Sequence, residues 1–350
     1  LLVGRPYGAE AERNKLLRAS QLVRHIEHTG FDTLATKQYI QRYFQGEAQQ
    51  GAGLCTFLQA HPSVHKLARV PLHLQLLCKL WKEDGTLQGG SLTRLYQRLA
   101  DYCYRRYEEE EGRPTVTLRC GRRAQTLYTT LGMIALAGVQ KGQRLIDDQT
   151  IREQVTAASE ALCEAPEKLR ALVLNSGFLR ATEEGAGRYR HSYFLPSSFR
   201  AHFAGQAIAK RLMTKEEGEG SGEDKEMTAL LQQSKDEALL VHTAGALYAY
   251  RQCTKSLPER VAGLQLLLRM LGSAPQERVA AERHLLLQLR CISECLGLGM
   301  PVEAMDQLEG CSLAALRKQL QASASLTLPQ SSKWLHPKLV QALASEHKQP

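Results

Sequence analysis

Gly177-Phe178-Leu179-Arg180-Ala181-Thr182-Glu183-Glu184-Gly185-Ala186-Gly187-Arg188-Tyr189-Arg190-His191-Ser192-Tyr193-Phe194-Leu195-Pro196-Ser197-Ser198-Phe199-Arg200-Ala201-His202-Phe203-Ala204-Gly205 is the stretch on which the fold turns. Residues 178–182 and 188–195 have a strand-like pattern, and 183–187 between them is a turn, so the pair reads as a hairpin. From Pro196 the pattern becomes helical again, to about residue 212. Upstream, 125–138 is apolar nearly all round and therefore a buried helix. Two further helices are expected over 147–158 and 165–175, the second ended by Gly177. Helices closed by a small hairpin are the outline of a winged-helix domain.

Working outward, the flanks are helical. Asp32 or Thr33 can cap a helix running to Phe44, in which Leu34, Tyr39, Ile40, Tyr43 and Phe44 share one face. Residues 46–53, rich in Gly and Gln, read as a loop, and 54–60 as a short helix ended by His61-Pro62. Pro71 suits a first helical turn, where its missing N–H is not needed, so a helix is expected from Pro71 to Trp81. Leu92, Leu95, Tyr96, Leu99, Tyr102 and Cys103 mark a long amphipathic helix over 92–111. Residues 214–226 contain no apolar side chain and read as a linker. Beyond it come helices with short turns, read as stacked pairs without a strict repeat period.

The 350 residues are 43% hydrophobic and 23% charged, an ordinary globular composition with length for two or three domains. No run approaches the roughly 18 apolar residues of a membrane span. The start, Leu1-Leu2-Val3-Gly4-Arg5-Pro6, has no initiator Met and no signal-peptide pattern, and reads as a strand inside something longer. The nine cysteines are scattered without a C-x-x-C pair, which fits buried thiols in a reducing, cytoplasmic setting. The net charge of +9 contains no dense Lys/Arg run, so nucleic acid is not among the expected partners.

Catalytic motifs are absent. No Gly-Lys dipeptide occurs, so no phosphate-binding loop is complete within the chain. Gly218-Glu219-Gly220-Ser221-Gly222 is Gly-rich, but its glutamates would repel phosphate. The pair Asp147-Asp148 superficially resembles a magnesium-binding strand end, yet a helical pattern follows and a helix cap is the better reading. There is no G-x-S-x-G and no H-E-x-x-H. His61, His65 and His73 lie at helical spacing without a carboxylate neighbour and read as solvent-facing or hydrogen-bonded core histidines.

A series of landmarks stands out in order: Leu1 to Pro6, Gly30-Phe31-Asp32, Tyr39-Ile40-x-x-Tyr43-Phe44, Leu67-Ala68-Arg69-Val70-Pro71-Leu72, Leu92-Thr93-x-Leu95-Tyr96, Gly177-Phe178-Leu179, and Phe194-x-x-x-x-Phe199-x-x-x-Phe203-Ala204-Gly205. Together they resemble the second half of a NACHT module, the STAND-class regulatory ATPase of NOD-like receptors and bacterial defence proteins. The resemblance covers about residues 1–212. It implies a mainly α architecture: the last strand of a P-loop NTPase sheet and its following helix (1–28), a helical domain (29–123) and a winged-helix domain with a small β-hairpin (124–212). An acidic linker (213–237) and a C-terminal region of α-helical repeats (238–350) complete the expected organisation.

The same resemblance implies the site residues. Arg5 would be a sensor arginine facing the terminal phosphate, although the residue alone also fits a surface arginine in a turn. Pro71 would lie against adenine, although any helix can start with proline. Pro196 stands where the family commonly has a histidine touching the ADP β-phosphate, and proline offers no side-chain donor there. His191 or Arg190 on the preceding strand could take that place only with a shift in register. The implied cofactor is ATP or ADP with Mg in a longer parent protein, with none expected to bind tightly to this chain alone and no ATP hydrolysis by it. The implied function is a nucleotide-controlled switch in innate-immune or defence signalling. It would self-associate through the NACHT module and receive a ligand or protein on the helical repeats. Two other readings are a degenerate NACHT-like helical scaffold without nucleotide control and, held lowest, nucleic-acid binding through the winged helix.

Overall fold

A computed structural model describes residues 30–344 apart from 88–90, 113–120, 185–187, 215–221, 235, 251–256, 273–277, 309–310 and 323–334. The expected opening strand, Arg5 and the rest of 1–28 lie outside the described residues.

Five helices come first: α1 (Thr33–Tyr43), α2 (Ala48–Ala60), α3 (Pro62–Ala68), α4 (Pro71–Asp84) and α5 (Leu92–Glu110). Their ends follow local chemistry. Asp32 accepts the Ala35 N–H at 2.7 Å to cap α1, and Ser91 accepts the Arg94 N–H at 3.2 Å to cap α5. Pro62 and Pro71 each occupy a first turn, and Gly85, at φ 65°, ends α4 in the left-handed conformation. Here one expectation is corrected: residues 48–53 are helix, not loop. Gly51 and Gly53 are there for close packing. A Cβ at Gly51 would lie 3.2 Å from the Phe44 Cβ, and one at Gly53 would lie 3.1 Å from the Trp81 ring.

The next unit runs helix, strand, helix, helix, hairpin: α6 (Arg122–Gln140), β1 (Ile146–Asp147), α7 (Asp148–Leu162), α8 (Pro166–Asn175), β2 (Leu179–Glu184) and β3 (Arg188–Phe194). The sheet is antiparallel in the order β1-β3-β2, with Ile146 opposite Ser192 and Leu179 opposite Phe194. The hairpin is as read from the sequence; β1 is additional, since two residues carry no readable period. Asp147 both pairs with His191 in the ladder and caps α7, its Oδ1 accepting the Thr150 N–H at 2.6 Å. That bond, with a second from Gln143, holds the Asp147 carboxyl below its ordinary range. Asp147→Ala is expected to cost about 1 kcal/mol, measurable by urea denaturation.

Helix α9 (Ser198–Thr214) then runs between α6 on one side and α11 (Glu237–Tyr250) on the other. The landmark phenylalanines converge beneath it. Phe178 meets Phe199 at 5.2 Å and Phe203 at 5.4 Å, both edge-on, and Phe194 lies 6.1 Å from Phe203. Their spacing is thus that of a shared core.

The expected linker over 213–237 is also corrected. Residues 222–233 form α10 (Gly222–Gln233), which buries Met227 and Leu231 and packs against α12 (Leu257–Leu271). Only its first residues are polar enough to match the linker pattern. Helix α13 (Arg278–Gly297), a short 3-10 turn (Val302–Gln307), α14 (Leu313–Ala322) and α15 (Pro337–Ala344) follow, with α13 against α11 and α15 against α13. The fold is mainly helical with one small antiparallel sheet. Among the described residues no helix is long and apolar enough to cross a membrane.

Candidate functional site

A cleft of about 1490 Å³ opens between the helices α4–α5 and the three-stranded sheet. Lys79 of α4, Tyr102 and Arg106 of α5, Arg170 of α8, Arg180 of β2 and His191 of β3 are on its wall. Its carboxylates are already engaged. Asp148 sits between the Arg152 Nε at 2.6 Å and the Arg170 Nη2 at 2.9 Å. Burial raises its carboxyl, but the two guanidiniums outweigh that and hold it below its usual range. Asp147 is used as the helix cap described above.

Nucleophiles are likewise disarmed. Burial pushes the Cys103 thiol up to about 11, leaving it protonated at neutral pH. The Ser176 hydroxyl donates to the Val173 carbonyl at 2.9 Å, with no histidine behind it. Cationic groups and tyrosines on this wall can hold an anionic surface. Among the described residues no group of three or more His, Cys, Asp or Glu could hold a metal ion.

A second junction joins the parts of the chain. Pro71 opens α4, and two residues on, His73 Nε2 shares a 2.8 Å hydrogen bond with Ser198 Oγ in the first turn of α9. The Tyr96 hydroxyl of α5 bonds the same serine. Around it the Tyr96 ring packs edge-on to Phe199 at 5.4 Å, over His202 at 5.7 Å and edge-on to His242 at 4.9 Å. His202 and His242 meet at 5.2 Å and are 1% and 2% exposed. Burial lowers His73 to about 4 and His242 to about 3, and lowers His202 as well with its neighbour His242 contributing. All three rings are therefore neutral at pH 7.

Comparison with known protein families and with curated proteins found no match. The positions implied by the sequence divide as follows. Arg5 is outside the described residues. His191 lies on the cleft wall opposite Asp147 in the ladder, while Pro71 belongs to the α4–α9 junction and is not on that wall. Pro196 is buried in the turn between β3 and α9, next to Leu195, whose N–H donates to the Phe178 carbonyl at 2.9 Å. Pro71 and His191 therefore do not meet on the wall of this cleft. The sequence marks His73 as a solvent-facing or hydrogen-bonded core histidine and gives no sign of Ser198. The two stand 125 positions apart, and no local spacing links them.

Proposed function

We propose that this chain is the regulatory half of a NACHT-type, nucleotide-controlled signalling switch. Residues 29–123 would be its helical domain and 124–212 its winged-helix domain, with a C-terminal region of helical repeats over 238–350. The observation that carries the proposal is the junction of His73, Tyr96 and Ser198. It ties the helix opened by Pro71 to the first turn of the helix that follows the hairpin. A module that must close over a ligand and later release it needs such a contact, small enough to break and specific enough to define the closed arrangement. The order of helix, strand, helix, helix and hairpin supports the winged-helix assignment, and the family resemblance supports the rest.

Under this reading phosphate binding belongs to the other half of such a module, and the chain itself contributes closure. ATP or ADP with Mg would be held chiefly by that other half. No step of the chemistry is assigned to the residues described here.

The test uses the full-length protein and Ser198→Ala, which leaves His73 and Tyr96 without their shared partner. Losing that contact is expected to speed ADP release about tenfold, equivalent to about 1.4 kcal/mol. Release can be followed with a fluorescent ADP analogue, and the 350-residue chain alone should show no ATP turnover. A full-length protein that binds no nucleotide would instead favour the helical scaffold, the reading that Pro196 in place of the family's histidine motivates. Release rates indifferent to Ser198→Ala would remove this junction from the switch.

A further inference from the structure

Helix α13 buries Leu289, Cys291, Ile292 and Cys295, and among them it buries a carboxylate, Glu294, which is 4% exposed. A carboxylate at that depth is costly unless it is well bonded. Its partners lie about two hundred residues away. Oε1 accepts the Ser91 hydroxyl at 2.6 Å and the Thr93 N–H at 2.6 Å, and Oε2 accepts the Leu92 N–H at 3.0 Å. These donors are the N-cap hydroxyl and the first two N–H groups of α5, at the positive end of a 19-residue helix.

Helix α5 meets only part of this need locally. Ser91 Oγ already caps it by accepting the Arg94 N–H, and the same hydroxyl then donates outward to Glu294. The carboxylate is therefore a second cap delivered from another part of the chain. A close approach completes the arrangement. Gly245 of α11 passes so near that a Cβ there would lie 2.2 Å from the Thr93 Oγ1 and 3.0 Å from the Glu294 Cγ. The preceding residue, Ser293, uses its hydroxyl on the other flank, accepting the His336 N–H at 2.5 Å just before α15. Two consecutive residues of α13 thus hold the last described helix and the start of α5.

We propose that Ser293 and Glu294 form a releasable intramolecular latch that couples the seating of α15 to the N-terminal turn of α5. A charge held only by hydrogen-bond donors is stable while water is excluded and is rehydrated once the contact opens. Opening therefore loses the three bonds but recovers the hydration of the carboxylate. Such a contact has two states and can be biased from either end. Displacing α15 by a partner on the C-terminal helices would loosen Ser293 and, through Glu294, uncap α5, whose later turns form one wall of the cleft. The latch needs no nucleotide and stands apart from the proposed switch chemistry.

Hydrogen exchange on the 350-residue chain tests it, with Glu294→Gln and Ser293→Ala as variants. Glu294→Gln keeps the volume but places an amide against N–H donors. It is expected to raise exchange in peptides covering 91–99 about tenfold or more, while peptides from 122–184 and 191–214 keep wild-type rates. Ser293→Ala removes a single hydroxyl and is expected to raise exchange both at 337–344 and at 91–99. Unchanged exchange at 91–99 in Glu294→Gln overturns the latch. A uniform rise across all peptides also overturns it, because Glu294 is then only a structural residue. If Glu294→Gln does not fold, Ser293→Ala decides: a rise confined to 337–344 rejects the coupling, and a joint rise supports it.

Discussion

Between pH 6.5 and pH 5 the protein is expected to lose about 3 kcal/mol or more of folding stability, a large part of the reserve of a typical domain at about 5–15 kcal/mol. The cause is the cluster at the α4–α5–α9–α11 junction. His73, His202 and His242 are buried and held below the ordinary value of 6.5, His73 at about 4 and His242 at about 3. In the folded protein they bind no proton over this range, whereas in the unfolded chain they take one up below 6.5. Their contribution is therefore complete above pH 6.5, is lost as the pH falls, and continues to be lost until the folded values are reached.

The unfolded histidines are half protonated at pH 6.5, so each group costs about 1.6 kcal/mol by pH 5; His73 and His242 give about 3 kcal/mol together, and His202 adds in the same direction. Glu294 acts in the opposite direction. Burial raises its carboxyl, against the pull of Ser91, Thr93 and Leu92, so protonation on acidification relieves part of its desolvation. It is one group against three. Urea denaturation at pH 7 and pH 5 measures the loss, and His202→Leu should make the slope shallower. Equal stabilities at the two pH values would show that the rings are charged or solvated in the folded protein.

What the sequence disclosed, and what it concealed, follows from distance along the chain. Pro71, Asp32 and Asp147 mark helix starts by chemistry acting within four residues, and all three sit where that chemistry requires. Phe178, Phe194, Phe199 and Phe203, which stood out in the sequence through the family resemblance, are all buried. Residues 48–53 misled because Gly and Gln ordinarily signal a loop. Here the glycines let the Phe44 and Trp81 side chains come close to the helix backbone. In 222–233 the run of acidic residues before Met227 hid a helix that only tertiary packing on α12 reveals. The bonds that define the junction and the latch, His73 with Ser198 and Ser91 with Glu294, join residues 125 and 203 positions apart. No periodicity encodes such a pair. The cleft was hidden for the same reason, since its wall draws on α4, α5, α7, α8 and all three strands.

The second large effect is expected at Gly205, the last of the landmark residues Phe203-Ala204-Gly205. Helix α9 is gripped on two sides by helices that approach too closely for side chains. Toward α6, a Cβ at Gly132 would lie 3.1 Å from the Phe203 carbonyl oxygen and 3.3 Å from the Ala207 Cβ. Toward α11, a Cβ at Gly205 would meet the Thr243 nitrogen at 2.9 Å and the His242 carbonyl carbon and Cβ at 3.0 Å. Two of those three atoms are backbone, which cannot rotate away as a long side chain would. Gly205→Val adds two further methyl groups at the same point and must push α9 and α11 apart. Overpacking of this kind costs about 3 kcal/mol or more when no rotamer can absorb it. Separation at Gly205 would also admit water to His202 and His242, so the variant should lose part of the acid sensitivity along with its stability. Gly121→Ala is the control: nothing lies within 4 Å of its Cβ, and its φ of −54° suits any residue. Urea midpoints that fall for Gly205→Val and barely move for Gly121→Ala are the expected result. Similar small shifts for both would mean that α9 and α11 are not in backbone contact at this crossing.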